Sequence, residues 1–255
     1  MTAATSILLY HRIAEPTTDP WQLCVSPRHF AEHLEVLRRH ARVIPLARLG
    51  EDRAASEKRI VPITFDDGYA HNLAAAELLE KNGTPATVFI TTGYIGGDRE
   101  FWWDELDRLI LQSADLPPAL RLTGGGQPID VALDTANRDA AEDNRPARWR
   151  AYVDEPHGPR QSAYLTIWER LVTQPAPEQR SVLDEIAKQS NVPRVRWPSH
   201  RPLTRDELVR LAAHPLVEIG AHTITHPTLP AHPPSVQRRE IADGKPTSKR
   251  SRVVP

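Results

Sequence analysis

The sequence predicts an α/β protein built on a parallel sheet with helices over it. Three observations predict this: short, near-continuous apolar runs of strand length, helical periodicity between them, and polar chemistry placed directly after two of the runs. Residues 7–10 form the first such run. Ser26 as N-cap and Pro27 in the first turn then open a helix with Phe30, Leu34 and Leu37 on one face. Residues 43–46 read as a second strand. Residues 60–65 (I-V-P-I-T-F) read as a third, with Pro62, which lacks a backbone donor, near its start. A helix over 71–81 carries Leu73, Ala76, Leu78 and Leu79 and stops at Gly83, with Pro85 beyond. Residues 86–92 form a fourth strand. Thr204-Arg205-Asp206-Glu207 is a capping box opening a helix to Ala213, and 217–221 (V-E-I-G-A) follows as a fifth strand.

Between these halves, residues 101–202 break the strand-helix rhythm and read as an insertion, mainly helical, with helices expected over 103–111, 163–172 and 178–188. Gly124-Gly125-Gly126 has no helix opening behind it, so it reads as a turn rather than a phosphate cradle. No internal repeat is present. From Pro233 onward the apolar period is lost, so the expected organisation is a domain over 1–232 and a disordered tail over 233–255.

Hydrophobic residues make up 40% of the 255 positions, enough for a packed core. With 32 basic against 33 acidic side chains, the net charge of -1 leaves no electrostatic footprint for nucleic acid or an anionic membrane. No stretch approaches the roughly 20 apolar residues of a membrane span, and the opening run lacks the basic flank and length of a signal peptide, so a cytoplasmic location is expected. The single cysteine, Cys24, excludes an internal disulfide and a cysteine-rich zinc cluster; any metal must be held by His and carboxylate. Oligomeric state is not legible.

The third strand runs into Thr64-Phe65-Asp66-Asp67-Gly68. Adjacent carboxylates at the C-terminal end of a strand sit where α/β folds place active sites, and they suit one metal ligand beside one base. Gly68 would permit the turn that lets both face the site. An Asx-type turn into the next helix would read the same way. The fifth strand runs into His222-Thr223-Ile224-Thr225-His226-Pro227. Pro227 biases His226 out of the α region, making this a loop leaving a strand, so both imidazoles would project onto the rim that holds Asp66 and Asp67. His29 and His33 share the same spacing but lie on the first helix among charged neighbours, and read as a solvated face. One carboxylate and two imidazoles form a three-ligand site with a position left open, suited to a divalent ion such as zinc.

These residues resemble the polysaccharide deacetylases of carbohydrate esterase family 4. The first motif of that family, T-F-D-D-G, is present unaltered as 64–68, and the second, His-Ser/Thr-x-x-His-Pro, as 222–227. The resemblance spans 7–229 and includes Phe101-Trp102-Trp103-Asp104 and His200-Arg201-Pro202-Leu203-Thr204. It implies a distorted β/α barrel, here incomplete, and a hydrolase that removes acetyl groups from N-acetylated sugars of a glycan or glycolipid. It also implies Asp66 as general base, Asp67, His222 and His226 as metal ligands, and Thr223 as a brace for the loop. The family's later motifs are missing: an Arg/Pro motif, an Asp/Trp motif and the Leu-x-His that supplies the general acid. Truncation or a frame change is the favoured account, and completion of the site by another chain the alternative. The rival reading is a catalytically incompetent metal- or carbohydrate-binding remnant; a metallophosphoesterase is disfavoured because no further carboxylate serves a second metal.

His11 follows the first strand and either reaches the rim or makes a buried hydrogen bond. Trp102 and Trp103 offer a sugar platform, with Trp103 the candidate substrate-binding residue, although adjacent aromatics cannot both face one side and at least one is expected in the core. Trp149, Trp168 and Trp197 are expected to form a small core of the insertion. Cys24, with no base nearby, has no nucleophilic role.

Overall fold

A computed structural model describes residues 5–52, 59–114, 116–133, 149–193 and 197–251. The chain opens with β1 (Leu8–Tyr10), β2 (Arg12–Ile13) and β3 (Cys24–Val25), then α1 (Pro27–His40). Ser26 caps α1 by accepting from His29 N, Phe30 and Leu34 are fully buried, and Arg38, Arg39 and His40 complement the dipole in its last turn. The second strand falls slightly earlier than expected: β4 is Ala41–Val43, and Pro45 starts a 3₁₀ turn over Leu46–Arg48.

After α2 (Leu49–Asp52), the expected third strand is two: β5 (Arg59–Val61) and β6 (Ile63–Phe65). Pro62 between them explains the break. Its missing N–H interrupts the ladder while its carbonyl still accepts from Leu8 N at 3.0 Å, so the chain passes from pairing with β4 to pairing with β1. Next come α3 (Asn72–Lys81), β7 (Ala86–Ile90), and, beyond the insertion, α7 (Arg205–Ala212) and β10 (Val217–Ala221), the last with the bounds its sequence implied. The Thr204–Glu207 capping box is formed in full.

β1, β6, β7 and β10 make one parallel sheet in that order, with β1 and β10 at its edges. The register aligns Tyr10, Phe65, Val88 and Ile219 in one row, all buried in the helix-covered core with Phe30, Leu34, Leu79 and Leu211. Gly220 is required within β10: a Cβ there would lie 2.3 Å from Cδ1 of Phe89, its partner on β7. Because all four strands are parallel, the residues that follow them (His11, Asp66, Thr91 and His222) come to one rim.

The insertion holds α4 (Trp102–Ile110), β8 (Ala119–Leu122), β9 (Ile129–Ala132), α5 (Pro159–Leu171) and α6 (Ala176–Gln189) around a second apolar cluster. The three expected helices are present. The antiparallel β8–β9 hairpin was not expected; its alternation is only four residues long on each side, and the three glycines form its turn, with Gly125 and Gly126 at φ +71° and +131°. Every residue of α4 is buried, including four charged ones. Each of these is partnered: Arg12 Nη1 lies 3.3 Å from Asp104, Arg99 Nη2 2.9 Å from Glu105, Thr18 donates to Asp107 at 2.9 Å, and Arg108 Nε lies 2.8 Å from Glu100. Trp102 and Trp103 are both core residues, as is Trp149, whereas Trp197 is 38% exposed.

The expected disordered tail is corrected. Pro234–Ser251 forms α8, which packs against β10 and α7. Its polar surface hides the helical period, and its anchor is a buried charged residue, Glu240, rather than an apolar face. Residues 252–255 lie outside the described residues. No helix among them is long and apolar enough to cross a membrane.

Candidate metal centre

Asp66 still belongs to the end of β6: its N–H donates to Tyr10 O at 2.9 Å. The chain then turns sharply, with Asp67 at φ +73° and Gly68 at φ +86°. Aspartate tolerates the left-handed region; glycine does so freely, and a Cβ at Gly68 would also meet Ile90 Cδ1 at 2.9 Å. The turn brings both carboxylates to one imidazole: His222 Nε2 lies 3.9 Å from Asp66 Oδ2 and 3.7 Å from Asp67 Oδ1. His226 Nε2 lies 3.4 Å from the same Asp67 oxygen.

The second loop starts where His222 N donates to Ile90 O at 2.8 Å, continuing the β7–β10 ladder by one residue. Thr223 (φ +64°) and His226 (φ +57°) then adopt left-handed backbone. Thr223 Oγ1 accepts from His226 N at 3.0 Å and donates to His222 O. The 3.0 Å bond ties the two imidazole-bearing residues into one tight turn, with ring centroids 4.9 Å apart. From the other side, Thr92 N and Gly93 N donate to the carbonyls of Thr223 and Ile224.

Electrostatics favour neutral imidazoles beside a costly carboxylate. Burial lowers the His222 pKa, and burial together with the nearby His222 lowers that of His226 to about 4. Both lone pairs are therefore free at neutral pH. Asp67 is 2% exposed; burial first, then the charges of Asp66 and Asp104, push its pKa well above the usual carboxylate range. Its Oδ1 is buried without a hydrogen-bond partner, an arrangement that a bound cation would satisfy. Among the described residues, Asp67, His222 and His226 form a group able to hold a metal, with ligand atoms within 4.8 Å of one another. One carboxylate oxygen and two imidazole nitrogens fit a divalent ion with an open position.

The other expectations resolve as follows. Burial lowers the His11 pKa and Asp66 raises it, so His11 sits within electrostatic reach of the site; its carbonyl accepts from Asn72 Nδ2 at 3.0 Å. Trp103 is corrected: its ring is 8% exposed and packs edge-on to His226 at 4.8 Å, while its Nε1 donates to Tyr69 OH, so it walls the site rather than offering a platform. The His29–His33 pair lies on the exposed face of α1, where His33 Nδ1 is 3.1 Å from Tyr10 OH. Burial pushes the Cys24 thiol up to about 12, consistent with an inert side chain.

Two sets of residues escaped the sequence. One is the buried group beneath the site in which Tyr69 OH donates to Asp104 (2.7 Å), itself paired with Arg12; the Asp104 of the F-W-W-D string was its visible member. The other is Glu240, whose carboxylate accepts from Ile224 N (2.9 Å), Thr225 N (2.8 Å) and Thr225 Oγ1 (2.9 Å); no pattern near it signalled this.

The fold therefore places a group of one aspartate and two histidines at the C-terminal rim of a parallel α/β sheet. Residues 53–114 match the family model for polysaccharide deacetylase. Solved structures share the fold. BA0330 from Bacillus anthracis, assigned as a polysaccharide deacetylase, is 13% identical with a TM-score of 0.52, covering 100% of this chain and 49% of that one. BC0361, a polysaccharide deacetylase from Bacillus cereus, is 15% identical at TM-score 0.50, covering 100% and 49%. The Streptococcus pyogenes deacetylase PplD, solved in complex with acetate, is 15% identical at TM-score 0.50, covering 99% and 70%. The chain thus spans about half the length of the two Bacillus proteins. No curated protein sequence matches it.

Proposed function

We propose that this chain is a metal-dependent hydrolase that removes acetyl groups from N-acetylated sugars of a glycan or glycolipid, with zinc held by Asp67, His222 and His226. The observation that carries this reading is the buried, unpartnered Asp67 Oδ1 set 3.4 and 3.7 Å from two imidazole nitrogens. A bound divalent cation would lower the pKa of its water from 15.7 to roughly 7 and polarise the acetamide carbonyl.

The chain's own residues supply the ligands and the base, and the proton that the base takes from water is the one the departing amine must receive as the C–N bond breaks and acetate leaves. Asp66, with its side chain 18% exposed and Oδ2 3.9 Å from His222 Nε2, is the base that takes the proton of the attacking water. Its backbone bond to Tyr10 O fixes where that carboxylate stands. His222 and His226 stay neutral because burial disfavours their protonation, so they remain ligands rather than acids. Trp103 excludes water from one side of the His226 ring.

Zinc stoichiometry and acetate release from N-acetylglucosamine oligomers test the reading together. The protein should hold about one zinc equivalent, lost in Asp67→Ala, His222→Ala and His226→Ala. Asp66→Asn should keep the metal and lower turnover by roughly 10²- to 10⁴-fold. Zinc retained in all three ligand variants, or acetate release unchanged in Asp66→Asn, would overturn it.

A further inference from the structure

We propose that Glu240 of α8 is a positioning residue for the metal ligands: its buried carboxylate grips the backbone between His222 and His226 and sets the affinity of the site for its ion. This inference rests on the metal-site reading above. The peptide joining the two imidazoles is held from both sides. Its carbonyls at Thr223 and Ile224 accept from Thr92 N (3.2 Å) and Gly93 N (2.8 Å), in the loop after β7. Its amides at Ile224 and Thr225 point the opposite way, and one Glu240 oxygen accepts both, at 2.9 and 2.8 Å. The other oxygen accepts from Thr225 Oγ1 at 2.9 Å, so three donors of two consecutive residues converge on a single side chain that is 4% exposed.

The helix is also shaped to let that carboxylate in. Gly244, one turn beyond Glu240, faces the loop: a Cβ there would lie 3.2 Å from Thr223 O and 3.3 Å from its carbonyl carbon. The close approach falls on Thr223, one of the two left-handed residues that turn the imidazoles toward Asp67. Loss of the carboxylate would leave two amides without their acceptor at the point where the loop's curvature is fixed, and the ligand nitrogens would no longer be held near Asp67 Oδ1. Residues that orient metal ligands in this way typically affect metal affinity 10- to 100-fold.

The test uses the full chain and Zn²⁺ itself, titrated in competition with a chelating dye, with the absorption spectrum of the Co²⁺-loaded protein as a report on ligand geometry. Glu240→Ala should bind Zn²⁺ 10- to 100-fold more weakly. Glu240→Gln, which keeps one acceptor oxygen, should fall between it and the unaltered protein, and the Co²⁺ band should change in both. Gln237→Ala is the control. It removes the bond from Gln237 Nε2 to His232 O (2.8 Å) at the start of the same helix without touching the loop, and should leave Zn²⁺ affinity unchanged. Melting of the metal-free proteins separates the outcomes: a merely structural Glu240 would lower the melting temperature and leave Zn²⁺ affinity alone. Affinity within twofold of the unaltered protein in Glu240→Gln and in any folded Glu240→Ala, or equal weakening by Gln237→Ala, overturns the inference. An unaltered protein that takes up no Zn²⁺ fails at the earlier step, the site itself, and this inference falls with it.

Discussion

Replacing Arg12 by Met tests how the buried charge beneath the site is held. Arg12 is 2% exposed; Nη1 lies 3.3 Å from Asp104 Oδ1, Nη2 donates to Ser199 O at 2.8 Å, and the guanidinium sits 5.2 Å from the Tyr69 ring centroid. Met fills much of the same space and deletes the cation. Breaking a buried pair by removing one partner costs about 3–5 kcal/mol, because the other charge is left behind. For a chain of this length the unfolding entropy is about 0.5 kcal/mol/K, so the melting temperature should fall by about 6–10 °C. The exposed pair Arg28–Glu32 on α1 sets the contrast: Arg28→Met there should move it by about 1 °C or less. The pH dependence has a definite sign. Burial holds the Asp104 carboxyl up at about 7, against the opposing pull of Arg12 and the Tyr69 hydroxyl, while an unfolded aspartate titrates near 4. Between those values the folded protein binds the extra proton, so this group's contribution to stability is lost as pH rises from about 4 to about 7. Without Arg12 the carboxyl titrates higher still and the loss continues past pH 7. The variant's deficit should therefore be large at pH 8 and at most half as large at pH 5, where Asp104 is protonated in both proteins. Scanning calorimetry of the metal-free proteins at the two pH values measures it. A fall under about 2 °C at pH 8, or equal falls at both pH values, would refute the reasoning.

Two further substitutions probe the local devices. Thr204→Ala removes the oxygen that accepts from Glu207 N in the capping box of α7 and should cost about 1 kcal/mol in urea unfolding with the m-value unchanged. Gly68→Ala places a side chain at φ +86° against Ile90; it should destabilise by more than about 1 kcal/mol and weaken Zn²⁺ binding, whereas an Ala variant that binds Zn²⁺ normally would show that the Asp67 turn does not need glycine.

What the sequence revealed and what it hid separate along physical lines. α1, α7 and β10 were legible because each depends on local signals: Ser26 with Pro27, Thr204 with Glu207, and a short strand-length segment with Val217 and Ile219 alternating. The rim was legible because parallel strands place their C-terminal residues together, so Asp67, His222 and His226 could be brought together before any distance was known. Features that depend on distant partners were hidden. The change of partner at Pro62, from β4 to β1, depends on strands distant in the sequence, and α8 is anchored by a polar contact to a loop rather than by an apolar stripe. Trp103 was read as a platform from its aromatic side chain alone, whereas Tyr69 and Asp104 make that neighbourhood a buried polar network.

The same partition explains why the site needs so much support. Of the five non-glycine residues in left-handed backbone among the described residues, three are Asp67, Thr223 and His226. Such residues cost on the order of 1–3 kcal/mol each and persist only where their surroundings over-determine them. Here the surroundings differ by segment. Asp67 is held because Thr91 N donates to its carbonyl (3.1 Å) and Leu203 N to that of Gly68 (3.0 Å), which ties the turn to both β7 and the chain entering α7. Thr223 and His226 follow β10, which among the described residues is an edge of the sheet, and they depend on the β7 loop and on Glu240. The strained carboxylate is thus built into the middle of the fold, while the strained imidazoles hang from its edge. That asymmetry makes the histidine loop the part of the site whose geometry a single distant side chain can control.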